Sequence, residues 1–186
     1  MNELAPLPDD GFLIEDDEGP SRLDTPAQAW KVLVVDDEPD VHAITRVVLA
    51  SFRYAGSGLA ILSAYSRGDA ERHLRQHPDI ALVLLDVVME EIDSGLRLVH
   101  FVREELNNAL VRIVLRTGQP GYAPEQEVVL RYDINDYKEK TELTTQKLFT
   151  TVIASLRAYQ HLTQLERQRA GLEQIVRANR VLAQRL

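Results

Sequence analysis

Three aspartates, a threonine and a lysine are the residues of this chain whose types and positions suit shared chemistry. Asp36, Asp37 and Glu38 follow the aliphatic run VLVV, Asp86 follows VLL, Thr117 closes IVLRT, and Lys140 stands in NDYKEK. Two carboxylates about 4 Å apart repel by roughly 1 kcal/mol in water, and by several times that at a partly desolvated surface. Acids crowded behind buried segments therefore need an offsetting charge, and a hard divalent cation reverses the sign of the local field. Magnesium suits such a site, because it takes one or two carboxylates and fills its other octahedral positions with water and phosphate oxygens. A lysine and a threonine hydroxyl opposite the ion suit the remaining oxygens of a phosphoryl group. An aspartate at a strand end can form an acyl phosphate, and Asp86 is best placed to do so.

These residues meet only if the segments before them are strands of one sheet. Short aliphatic runs occur at 32–35, 59–64, 80–85, 111–115 and, more weakly, 134–138, with helically spaced stretches between them. Continuous rather than alternating aliphatic runs indicate strands covered on both faces, and strands interleaved with helices indicate a parallel sheet. The expected fold is an α/β sandwich of five strands. In such sheets ligands gather where the carboxyl ends of neighbouring strands converge, which is where all five residues lie. Pro39 opens a first helix to about Ala50, and a second covers about 68–77, ending at Pro78. A third starts at Gly95 with Gly95, Val99, Val102 and Leu106 on one stripe and Asp93 or Ser94 as its cap. Pro124 opens the fourth. The fifth begins near Thr144, with Phe149, Val152, Ile153 and Leu156 spaced to pack on the sheet.

Composition limits the alternatives. The chain has 186 residues, 45% of them hydrophobic, and no cysteine, which excludes disulfides and thiolate metal sites. Its longest aliphatic run is too short to cross a bilayer and its start is acidic, so the sequence places it in the cytoplasm, away from membranes. The net charge of −8 is concentrated in residues 1–30, where eight acids face one base, Arg22, among four prolines and two glycines. That composition buries too little apolar surface to offset chain entropy, and it reads as a mostly disordered arm. His73 and His77 are spaced as a zinc pair, but they lack a third ligand and read as a solvated helix face.

Beyond Tyr159 the last helix continues with a seam at heptad spacing, six of its eight positions apolar: Leu162, Leu165, Arg169, Leu172, Val176, Asn179, Ala183 and Leu186. Residues 159–186 are thus expected to form an extended helix that is a coiled coil or a linker to a missing output domain. The six arginines and two glutamates of 157–186 read as its solvated face, without nucleic-acid binding.

Together KVLVVDDE, VLLDVVM, VLRTG and NDYKEK, in this order at these strand ends, resemble the receiver domain of bacterial two-component response regulators over residues 31–158. The resemblance implies a flavodoxin-like five-stranded parallel sheet in the order 2-1-3-4-5 with helices on both faces. It implies that Asp86 accepts a phosphoryl group from a sensor histidine kinase or phosphotransfer protein. Asp37 would bind magnesium directly, Asp36 mainly through water, and the Val88 backbone carbonyl would be a further ligand. Thr117 and Lys140 would contact the phosphoryl oxygens, and Tyr137 would turn inward as Thr117 moves. Dimerisation through the fourth and fifth helices and the C-terminal helix is expected. Lys138, two residues from Lys140 and on the same face of a strand, competes for the lysine role; Lys140 is preferred because it lies three residues after Tyr137. Two departures stand out: Glu90, where many receivers have proline, in a loop one residue longer than usual, and Thr141, where proline is common.

RTGQPGYAPEQEVV resembles a subgroup whose receiver heads a larger regulator, often one with an HD-type cyclic-dinucleotide phosphodiesterase. On this reading the segment is a phosphorylation-dependent switch and not itself an enzyme beyond slow autodephosphorylation, with any enzymatic output beyond Leu186. The competing readings are a magnesium-dependent aspartyl-phosphate phosphatase of the dehalogenase-like type, which would favour D-x-D after the first strand, and a degenerate receiver acting as a dimerisation module.

Overall fold

Five parallel strands form one sheet in the order β2-β1-β3-β4-β5: β1 (Trp30–Val35), β2 (Leu59–Ala64), β3 (Ile80–Asp86), β4 (Arg112–Thr117) and β5 (Asp136–Glu139). The computed structural model describes residues 29–89, 91, 93–118, 129–131, 134–140 and 144–183. The acidic arm up to residue 28, Glu90, Thr141 and the stretch 119–128 carrying Pro124 lie outside the described residues; of the expected fourth helix only 129–131 are described, and they are helical.

The continuous aliphatic runs are covered on both faces, as a parallel sheet requires. On one face Leu33, Val35, Val83, Leu85, Ile113 and Leu115 pack against α2 (Arg67–Gln76) and α3 (Ser94–His100) through Ala70, Leu74, Leu98 and Val99. On the other, Val32, Val34, Leu82, Leu84 and Val114 meet α1 (Pro39–Leu49) and the C-terminal helix (Thr145–Ala183) through Leu49, Leu148, Val152 and Leu156. Alternate strand residues thus feed opposite layers, and each fully buried aliphatic side chain contributes about 1.5–3 kcal/mol.

Several expectations change in detail. Trp30, assigned to the arm, is the first residue of β1, and its indole Nε1 donates to the Tyr54 carbonyl at 3.1 Å. Neither Asp93 nor Ser94 caps α3 through its side chain: Asp93 pairs with Arg97 at 2.9 Å, and the Ser94 hydroxyl accepts the Glu91 N–H at 3.1 Å. An arginine one turn along the helix outcompetes the backbone for that carboxylate. The α3 ladder widens into a π-helical turn at Phe101–Glu105. In the C-terminal helix the core stripe runs through Leu148 rather than Phe149, which stays 36% exposed and rests against Phe52 at a ring separation of 4.9 Å. This helix runs unbroken past Tyr159, while the side chain of Asn179, that of Ala183 and residue Leu186 lie outside what is described.

Candidate functional site

Strand register brings the chemistry-bearing residues together. Val35 pairs with Leu85, so Asp36 and Asp86 stand side by side just beyond; Asp86 pairs with Arg116, and Thr117 with Glu139. Asp36, Asp86 and Arg116 each follow by two a residue of the layer facing α1 and the C-terminal helix (Val34, Leu84 and Val114). The twofold alternation of a strand therefore gives them one common direction at the carboxyl edge of the sheet.

Lys140 bridges the acids. Its Nζ lies 2.8 Å from Asp86 Oδ2, 2.8 Å from Glu38 Oε1 and 3.2 Å from Asp36 Oδ2. Burial works against this ammonium's charge, but the hydrogen bonds to Asp86 and Glu38 outweigh it and push the lysine pKa well above its ordinary value. Glu38, exposed, is held below the usual carboxyl range by its hydrogen bond with Lys140. Asp86 goes the other way: burial raises its pKa despite the lysine, and the neighbouring Asp36 charge adds to the rise. Lys138 is directed elsewhere, pairing with Asp136 at 3.2 Å beside Gln146 and Lys147. Lys138 within β5 and Lys140 one residue beyond its end thus take different partners.

Asp36 is fully buried and Asp37 exposed. The Asp36 Oδ1 accepts the Glu38 N–H at 3.1 Å, and its main-chain carbonyl lies 2.8 Å from the Nε2 of buried His42. Thr117 is buried at the end of β4, and Val88 donates its N–H to Asp86 Oδ1 at 3.4 Å. Tyr137 lies inside the core, 8% exposed, in the layer that packs against α2 and α3. Gly95 matters as well: its N–H bonds the Val87 carbonyl at 3.1 Å, and a Cβ there would sit 2.2 Å from the Asp86 carbonyl oxygen.

The donors fit a hard cation. Asp36, Asp37, Glu38 and Asp86 each offer a carboxylate oxygen, all within 4.8 Å of one another. Asp36 Oδ2 is buried and makes no hydrogen bond, its nearest cations being close in distance but not in hydrogen-bonding geometry. A set made only of oxygens matches magnesium or calcium rather than zinc. His73 and His77 stack at 6.1 Å and join no metal-binding cluster among the described residues.

Two participants escaped sequence reasoning: Glu38, whose carboxylate pairs with Lys140 at 2.8 Å, and Arg116. Arg116 is 4% exposed, with a guanidinium nitrogen 3.6 Å from Asp36 Oδ2. Burial lowers its pKa, while Asp36 and Asp86 pull it back up. The available signal was a charged residue inside an otherwise aliphatic strand, in phase with Val114.

Comparison with known proteins agrees with this geometry. The solved signal receiver domain of an HD domain-containing protein from Pseudomonas fluorescens superposes with a TM-score of 0.62 at 16% identity, over 72% of this chain and 99% of that one. The fold is the receiver fold of two-component response regulators. Receiver similarity extends to the two-component response regulator PprB of Pseudomonas aeruginosa, 30% identical over 63% of this chain and 41% of that protein. The 3'3'-cGAMP-specific phosphodiesterase 2 of Vibrio cholerae is 49% identical over 82% of this chain, which spans 29% of that protein's length. A family described as a domain of unknown function, DUF3369, matches residues 152–185, of which 152–183 are described and lie in the C-terminal helix. None of the described helices is long and apolar enough to cross a membrane.

Proposed function

We propose that this receiver is a cytoplasmic switch that takes a phosphoryl group on Asp86 from a phosphohistidine of a sensor kinase or phosphotransfer protein. The observation that carries this reading is the Lys140 ammonium 2.8 Å from Asp86 Oδ2 and 3.2 Å from Asp36 Oδ2, at the carboxyl edge of the sheet. An Asp86 carboxylate oxygen attacks phosphorus, the N–P bond breaks, and the histidine ring leaves with the bonding pair. Transfer through a loose transition state spreads charge over the equatorial oxygens, so positioning and cations do most of the work. Lys140 and the Thr117 hydroxyl hold two of those oxygens. Magnesium, held by Asp36, Asp37, Asp86 and the Val88 carbonyl, would neutralise the developing charge when bound. Water later hydrolyses the acyl phosphate, which makes the signal transient.

The output lies along the C-terminal helix. Leu165, Leu172, Ile175 and Val176 are 59–65% exposed on its projecting part, an apolar stripe that pairing with a second copy would bury. Thr117 and Tyr137 link Asp86 to the β4–β5 edge, and movement there would alter dimerisation or an attached output domain. By likeness to the Vibrio cholerae enzyme, a cyclic-dinucleotide phosphodiesterase is the output this reading favours.

Incubation with acetyl phosphate and Mg2+ should add one phosphoryl group by intact mass, and Asp86→Ala should abolish it. Undiminished labelling of Asp86→Ala would refute the assignment.

A further inference from the structure

We propose that Arg116 is a resident counter-ion to Asp36 that competes with the divalent ion and so holds down the affinity of the acidic cluster for it. The proposal rests on the metal-assisted phosphoacceptor reading above.

Arg116 sits where a parallel strand calls for an aliphatic residue, two positions beyond Val114 and opposite Asp86 in register. Its side chain is 5% exposed, yet the buried Nε and one terminal nitrogen find no hydrogen-bond partner. A buried charge with unmet donors is costly, and an apolar residue of similar volume is often neutral or stabilising in its place. Packing therefore does not account for an arginine here, whereas its charge does. The nearest anion is Asp36 Oδ2, 3.6 Å away and itself without a hydrogen bond. Four carboxylates stand against two internal cations, Lys140 and Arg116, which leaves two negative charges: the complement of one divalent ion.

Two consequences follow. Without metal, Arg116 and Asp36 stabilise each other inside the fold. With metal, Arg116 repels the incoming ion across a poorly screened interior, so removing it leaves three net negative charges and a stronger attraction. Removal of a merely structural arginine would lower stability without tightening the site.

The test is Mg2+ titration of the full chain, followed by backbone amide NMR shifts, for wild type, Arg116→Met, Arg116→Gln and Arg116→Lys. The neutral variants should bind Mg2+ at least about tenfold more tightly, and Arg116→Lys should return towards wild type. Equal or weaker binding by whichever neutral variant folds overturns the proposal. In parallel, denaturation in EDTA is compared across wild type, Arg116→Gln, Asp36→Asn and the double variant. The loss caused by Arg116→Gln should shrink markedly when Asp36 is already neutral; strict additivity overturns the pairing. Wild-type protein that binds no Mg2+ refutes the metal reading and, with it, the affinity effect, while the double-mutant cycle still decides whether Arg116 and Asp36 are coupled.

Discussion

Alanine in place of Gly95 sets two effects of opposite sign against each other. Gly95 lies in the first turn of α3, where its N–H reaches the Val87 carbonyl at 3.1 Å. A Cβ at this position would meet the Asp86 carbonyl oxygen at 2.2 Å and the Val87 Cα at 2.8 Å, whereas ordinary contact begins at 3.4 Å. Both are backbone atoms, so helix and strand end must separate by about an ångström, which on the scale of overpacked cores costs ~1–3 kcal/mol or more. Helix propensity opposes this, because alanine is favoured over glycine within a helix by about 1 kcal/mol. An overlap of about an ångström with backbone atoms belongs at the top of that range, about 3 kcal/mol, so the steric cost wins and the net is a loss of about 2 kcal/mol. For a chain of this size that lowers Tm by roughly 4–8 °C. Because the backbone displaced is that of Asp86, acetyl phosphate labelling should slow as well. The assay is urea and thermal unfolding in EDTA, with Gly68→Ala as control. Gly68 lies in α2 with nothing within 4 Å of a built Cβ, so there alanine should gain ~0.5–1 kcal/mol. A Gly95→Ala protein as stable as wild type would refute the close-approach reasoning.

Four further outcomes are expected. Asp86→Asn should be more stable than wild type at neutral pH without metal: burial raises the Asp86 pKa, so wild type loses stability as pH rises from the ordinary carboxyl range through the raised value. The advantage should vanish on acidification below that range, and a pH-independent difference in thermal unfolding would contradict it. Lys140→Met should cut acetyl phosphate labelling by at least about tenfold, while Lys138→Met, whose surface pair with Asp136 is worth at most ~1 kcal/mol, should leave it within about twofold. The Lys140 contribution to stability should hold at neutral pH and disappear only as pH climbs through its raised pKa, which alkaline unfolding of both proteins measures. Leu172→Glu should leave Tm of the receiver unchanged and reduce self-association in sedimentation, since the side chain is 65% exposed on the projecting helix.

The amino-acid sequence by itself determined the layered α/β architecture, because fully buried strands leave unbroken aliphatic runs such as VLVV and IALVLL, and prolines mark where helices begin and end. It also showed that acids, a hydroxyl and a lysine terminate successive strands, since polar residues abutting apolar runs are visible without coordinates. Tertiary structure alone decided which of them meet. Register places Asp86 opposite Arg116, and the end of β5 at Glu139 frees Lys140 to reach Asp86 while Lys138 stays behind on the strand. Gly95 reads as one more position on a helical stripe until the Asp86 carbonyl is seen against it, and Leu148 rather than Phe149 is the side chain that joins Val32, Val34 and Leu82 in the core. Periodicity is local and survives in the linear chain; close approach, charge pairing and helix rotation depend on partners distant in sequence, and only packing selects among them.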